Sequence, residues 1–162
     1  SRGPCKPGLS RTMRLTVETP EAMEAFGSRL AKKLQPGDLV LLSGKLGAGK
    51  TTMTRGIGAG LEAIGTIQSP TFVLARTHRT KDGPKLVHVD AYRLSSAIEL
   101  DDLDIDFSNS IVVIEWPRDF IDDSFENWLL IEIDRSSQED IRELEITGHG
   151  PRWQGVQFDF GN

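Results

Sequence analysis

Unbroken apolar runs at residues 39–42 (LVLL) and 110–116 (SIVVIEW) predict strands buried on both faces. Strands of that kind lie inside a sheet covered by helices on both sides, which makes the chain α/β. Between residues 20 and 34, Ala22, Met23, Phe26, Leu30 and Leu34 keep the helical period. Thr19-Pro20-Glu21 spells the start of that helix, with a hydroxyl cap, proline at the first helical position and an acid in the first turn. Pro36-Gly37-Asp38 ends it with a turn. Further helices are expected from about residue 50 to 61 and from about 97 to 103. Shorter strands are expected at 14–18, 72–78, 86–90, 128–134 and 143–147, with the turn signal Lys81-Asp82-Gly83-Pro84 between the second and third. Residues 1–13 (SRGPCKPGLSRTM) hold almost nothing apolar and read as a flexible tail or an expression remnant. Residues 14–150 then form one domain, and 151–162 a C-terminal extension.

Composition narrows the classes. The chain has 162 residues and a formal net charge of -5, so its surface as a whole should not grip a polyphosphate backbone. Direct nucleic-acid binding would require Arg76, Arg79, Lys81 and Lys85 to gather into one patch. A single cysteine, Cys5, rules out an internal disulfide and a Cys-based zinc site. No apolar run approaches the ~20 residues of a membrane span, and no apolar leader is seen, so a cytoplasmic location is expected.

The strongest chemical signal is Gly44-Lys45-Leu46-Gly47-Ala48-Gly49-Lys50-Thr51, which matches G-x-x-x-x-G-K-[ST]. In such a loop the glycines let successive N–H groups curl inward onto phosphate oxygens, and Gly47, Ala48 and Gly49 supply that cradle. The following helix adds the positive end of its dipole. Lys50 sets an ammonium against the β and γ phosphates, and Thr51 offers a hydroxyl to Mg²⁺. A chance match is roughly a one per cent event at this composition, and the position between an apolar strand and an amphipathic helix lowers that further. ATP and Mg²⁺ are therefore the expected ligands.

A phosphate loop needs a carboxylate at the end of a neighbouring strand. Asp90 after LVHV and Glu115 after IVVI both fit. Glu115 is placed on the metal side together with Thr51, and Asp90 is expected to orient the attacking water or to support the metal shell. His88, alternating within its strand, reads as a packed core side chain.

The residues Leu42–Thr52 (LSGKLGAGKTT), Arg55-Gly56, Ser69-Pro70-Thr71-Phe72, His88-Val89-Asp90-Ala91-Tyr92-Arg93-Leu94 and Glu115-Trp116-Pro117 follow one another in an order that resembles the TsaE (YjeE) family. The likeness runs from about Leu15 to Thr147. It implies a P-loop NTPase-like sheet, mostly parallel with some antiparallel strands, and helices on both faces. It further implies a weak ATPase of tRNA threonylcarbamoyladenosine synthesis (adenosine ~37). Such a protein resets a TsaB–TsaD complex, its contact with tRNA being indirect. By motif match, Lys50, Thr51 and Thr52 would bind phosphate and metal, Glu115 and Asp90 would take the acidic roles, and 69–72 would act as a switch-like loop. Trp116 would lie beside the nucleotide, with Arg118 and Thr19 reaching the base or ribose. The sequence departs from the family at Ala91, where leucine is common, and at Asp104, where glycine is common.

Two other readings share the loop. A small-molecule kinase would add a lid and arginines for its acceptor, and a nucleotide-gated binding module would hydrolyse almost nothing.

Overall fold

The computed structural model describes residues 10–45, 47–68, 74–117, 119–136 and 138–156. Its elements are β1 (Ser10–Val17), α1 (Pro20–Ala31), β2 (Leu39–Ser43), α2 (Lys50–Gly60), β3 (Ala75–His78), β4 (Lys85–Asp90), α3 (Ala97–Asp101), β5 (Ser110–Glu115), α4 (Phe120–Ser124), β6 (Trp128–Arg135) and β7 (Arg142–His149). A 3₁₀ turn at Pro151–Trp153 follows. The described strands form one sheet in the order β1-β7-β6-β2-β5-β4-β3. Its centre is parallel: β2 lies between β5 and β6, and β4 runs alongside β5. The β1–β7, β6–β7 and β3–β4 pairings are antiparallel.

The two apolar runs occupy the places their patterning demands. Leu39–Leu42 and every residue of β5 are buried, because each strand has a neighbour on either side and helices over either face. On one face Phe26 and Leu30 of α1 and Met53 and Ile57 of α2 pack on Val40, Leu42, Ile111 and Val113. On the other, Leu100 of α3 and Ile121 of α4 cover Leu39, Leu41, Val112 and Ile114.

The helix α2, KTTMTRGIGAG, is a poor helix on propensity alone, with three glycines and three threonines. Tertiary contact holds it. A side chain at Gly56 would press on the carbonyl of Glu24, one at Gly27 on the carbonyl of Met53, and one at Gly60 on Ser28 and Ala31. α1 and α2 therefore touch backbone to backbone, which fixes the height at which α2 meets the end of β2. At the start of α1, Thr19 caps the helix as its sequence announces, its Oγ1 accepting from the Ala22 N–H at 3.0 Å. Thr19→Ala is expected to lower stability by about 1 kcal/mol in a denaturant melt, and Thr19→Ser to preserve it.

Several boundaries differ from those the sequence predicts. β1 begins at Ser10, so Ser10–Met13 belong to a strand paired with Ile146–His149. The backbone ladder of β7, and not side-chain hydrophobicity, recruits them. The C-terminal residues also join the core: Trp153 is buried in the larger apolar cluster with Val156 against it. Arg152 anchors this end, its Nε and Nη2 donating to the two oxygens of the buried Asp38 at 2.8 and 2.9 Å. α1 stops at Ala31 and α3 at Asp101, each running on into a turn. The predicted strand at 72–78 is present as Ala75–His78, its first two residues lying outside the described ones. Asp104 adopts φ 55°, the left-handed region where glycine is free and aspartate is among the better-tolerated alternatives.

Candidate functional site

The Gly44–Thr51 motif folds as a loop from the end of β2 to the first turn of α2. Gly47 (φ 81°) and Gly49 (φ 116°) take backbone angles that L side chains rarely adopt, which the curl of the loop requires. Leu46 lies outside the described residues. The Ala48 N–H donates to Lys45 O at 3.0 Å, and the Met53 N–H to Gly49 O at 2.9 Å, closing the loop onto the helix.

Lys50 is buried, and its Nζ donates to the carbonyls of Gly44 (2.6 Å) and Lys45 (3.1 Å). The same ammonium sits 3.9 Å from the ring centroid of Trp116. Burial lowers the Lys50 pKa from its ordinary value, and the negative charges of Glu115 and Asp90 act against that fall.

The parallel pairing of β4 with β5 sets Asp90 opposite Glu115, and β2 sets Leu42 opposite Glu115 on the other side. Both carboxylates thus stand at the strand ends beside the loop. Glu115 is buried, and its Oε2 accepts from Thr51 Oγ1 at 3.4 Å. Asp90 Oδ1 accepts from the Tyr92 N–H at 2.9 Å. Trp116 carries the chain out of β5 at φ 59°, a left-handed conformation that costs a non-glycine residue on the order of 1–2 kcal/mol. Its N–H donates to Leu42 O at 3.1 Å, and its ring meets Tyr92 edge-on at 5.5 Å. That turn swings the indole over Lys50, where a strand continued to Trp116 would have alternated it away. Trp116 and Tyr92, with Ser43, Gly44, Lys45 and Pro117, line an open cavity of 380 Å³.

On the other side of the loop a smaller cavity of 170 Å³ is lined by Thr19, Met23, Gly47–Gly49, Thr52, Asp140 and Arg142, among others. Thr52 and Thr19, expected to serve the nucleotide, therefore share one hollow. Arg118 and residues 69–72, expected to serve the base and the switch-like loop, lie outside the described residues.

Two residues of the site were not anticipated as part of it. His88, expected as core packing, is fully buried, but its Nε2 lies 2.5 Å from Glu115 Oε2. Arg142, at the start of β7, donates through Nε to Ala48 O at 3.0 Å and through Nη2 to Gly47 O at 3.4 Å. The H-x-D spacing offered a faint signal for the first, since His88 and Asp90 share a strand face. For the second there was none.

A third hollow, of 520 Å³, borders Ser43, Gly44 and Lys45 and carries Glu132, Glu145 and Arg14 from adjacent strands. Burial, then the neighbouring Glu145 and Asp134, push the Glu132 carboxyl above its ordinary value. A raised carboxyl pKa means that ionising Glu132 costs the folded state stability at neutral pH. Glu132→Gln should therefore raise the thermal midpoint at pH 7, with the gain vanishing below about pH 4, where the wild-type carboxyl is protonated in both states.

The family model described as threonylcarbamoyl adenosine biosynthesis protein TsaE matches residues 17–144. The chain belongs to the TsaE family. A Streptomyces coelicolor relative named tRNA threonylcarbamoyladenosine biosynthesis protein TsaE is 51% identical over 138 residues, covering 81% of this chain and 93% of the relative. The Bacillus subtilis protein of the same name is 33% identical over 147 residues, covering 89% and 90%. The crystal structure of Bacillus subtilis YdiB superposes with a TM-score of 0.69 at 30% identity, covering 89% of this chain and 90% of that one. The α/β P-loop NTPase-like fold and the TsaE membership expected from the motifs are thus both borne out. No described helix is long and apolar enough to cross a membrane.

Proposed function

We propose that this TsaE-family chain is a Mg²⁺-dependent ATPase of tRNA threonylcarbamoyladenosine synthesis that acts on a TsaB–TsaD complex and resets it between turnovers. The observation that carries the reading is the convergence of Lys50, Thr51 and Glu115 around one loop, with Glu115 Oε2 3.4 Å from Thr51 Oγ1. Thr51 and Glu115 are oxygen donors, the type Mg²⁺ prefers. Among the described residues no group of three or more His, Cys, Asp or Glu side chains is placed to hold a metal. That donor set suits an ion held by one or two protein oxygens, with phosphates and water completing its shell. When bound, Mg²⁺ neutralises charge on the β and γ phosphates.

The chain's own groups do the rest. The loop N–H groups and the α2 N-terminus cradle the phosphates, and Lys50 adds a cation at the γ end. Asp90, across the ladder from Glu115, orients a water for attack on the γ phosphorus. The bond to the β–γ bridging oxygen breaks, and ADP and phosphate leave. Trp116 covers the site and limits the access of bulk water. Thr52 adds to the phosphate contacts, and Thr19, lining the same smaller hollow, reaches the base or ribose.

The test is calorimetry with Mg²⁺-ATP, followed by phosphate release with and without TsaB–TsaD. Binding, slow release alone and faster release with the partners are expected, with Glu115→Gln binding ATP but releasing no phosphate. Tight binding with negligible single-turnover cleavage, even with both partners, would replace the ATPase by a nucleotide-gated binding module.

A further inference from the structure

We propose that His88 is a positioning residue for Glu115, an inference that rests on the ATPase reading above. His88 stands in the middle of β4 between Val87 and Val89 and has no exposed surface. Strand alternation puts it on the same face as Asp90, one step behind the site. Its Nε2 lies 2.5 Å from Oε2 of Glu115, the same oxygen that Thr51 Oγ1 meets at 3.4 Å. Its Nδ1 is buried with no hydrogen-bond partner among the described residues.

Those contacts assign the ring one working atom. A carboxylate only accepts, so the proton of the shared bond is carried on Nε2 and donated to Glu115. The unpartnered Nδ1 costs the fold free energy that a leucine or valine at this position would not. The compensating gain is at Glu115, whose buried carboxylate would otherwise be held only by the long 3.4 Å bond from Thr51. With Oε2 held by His88 from below and Thr51 from the helix, the carboxylate keeps one orientation toward the phosphate loop. Outer partners that orient a metal-side carboxylate in this way typically change metal affinity or activity 10–100-fold when removed.

The experiment measures Mn²⁺ binding by electron paramagnetic resonance in the presence of a non-hydrolysable ATP analogue, alongside analogue affinity in EDTA and the thermal midpoint. His88→Leu should weaken Mn²⁺ binding by about 10–100-fold. Its metal-free analogue affinity should match that of the wild type. His88→Gln, whose amide still donates, should recover most of the loss. In a Glu115→Gln background, His88→Leu should add nothing further, because the carboxylate it serves is gone. The His88→Gln arm keeps the test open if the leucine variant is poorly folded. Folded His88→Leu with wild-type Mn²⁺ affinity, a glutamine variant as weak as leucine, or additive effects in the double variant would each overturn the role. A wild-type chain that binds no Mn²⁺ with the analogue would instead overturn the ATPase reading, and this inference with it.

Discussion

Lys50→Met is expected to reduce phosphate release by at least about 100-fold, the scale seen when one preorganised charge-stabilising donor is removed. Its fold should survive. The lysine is buried, and desolvation disfavours its charge there more than two loop carbonyls, the Trp116 face and the nearby Glu115 and Asp90 favour it. Methionine keeps the apolar stem and removes the burdened ammonium. The thermal midpoint should therefore stay within about 3 °C of wild type or rise, the sign expected when a strained functional group is lost. Loss of activity with retained stability is the signature of a group kept for chemistry. Loss of both together would instead make Lys50 a structural tie between the loop and α2. Calorimetry with Mg²⁺-ATP and a melting curve on the same sample separate these outcomes.

The second large effect concerns packing. Gly56→Ala should destabilise the protein by about 3 kcal/mol, the upper range for overpacking, because the new methyl meets backbone and not a side chain that can swing aside. A loss of that size corresponds to a fall of about 10 °C in the thermal midpoint at this chain length. Nucleotide binding should fail with it, since α2 carries Lys50, Thr51 and Thr52 in its first turn. Gly83→Ala is the control. Its Cβ would lie 3.4 Å from Thr80 Oγ1, an ordinary contact, and the change should be within about 0.5 kcal/mol. If Gly56→Ala melted like Gly83→Ala, the backbone contact between α1 and α2 would be disproved.

The legible parts of this protein are those whose signal is local. The run at 39–42, the loop after it and the apolar strand ending in Glu115 each announce themselves within a dozen residues, and each lies where its pattern puts it. The Thr19 cap was equally plain. What escaped depends on distant partners. Ser10–Met13 has no apolar alternation and becomes a strand through ladder bonds to β7. The five-residue α4 is too short to show a period. Trp153 sits among Gly150, Pro151, Arg152, Gln154 and Gly155, and nothing in that setting says that it turns inward. His88 carries only the faint H-x-D hint until the β4–β5 register brings Glu115 to it. The glycines of α2 argue against a helix until α1 is laid against them.

Arg142 closes a gap of more than ninety positions along the chain with one side chain. Besides Gly47 and Ala48, its Nη1 donates to the carbonyls of Glu139 and Ile141, in the turn that joins β6 to β7. One planar, permanently charged guanidinium therefore clamps two surface segments with four hydrogen bonds. The hairpin tip and the glycine-rich crook are thereby latched directly to each other. That latch bypasses the interior of the sheet.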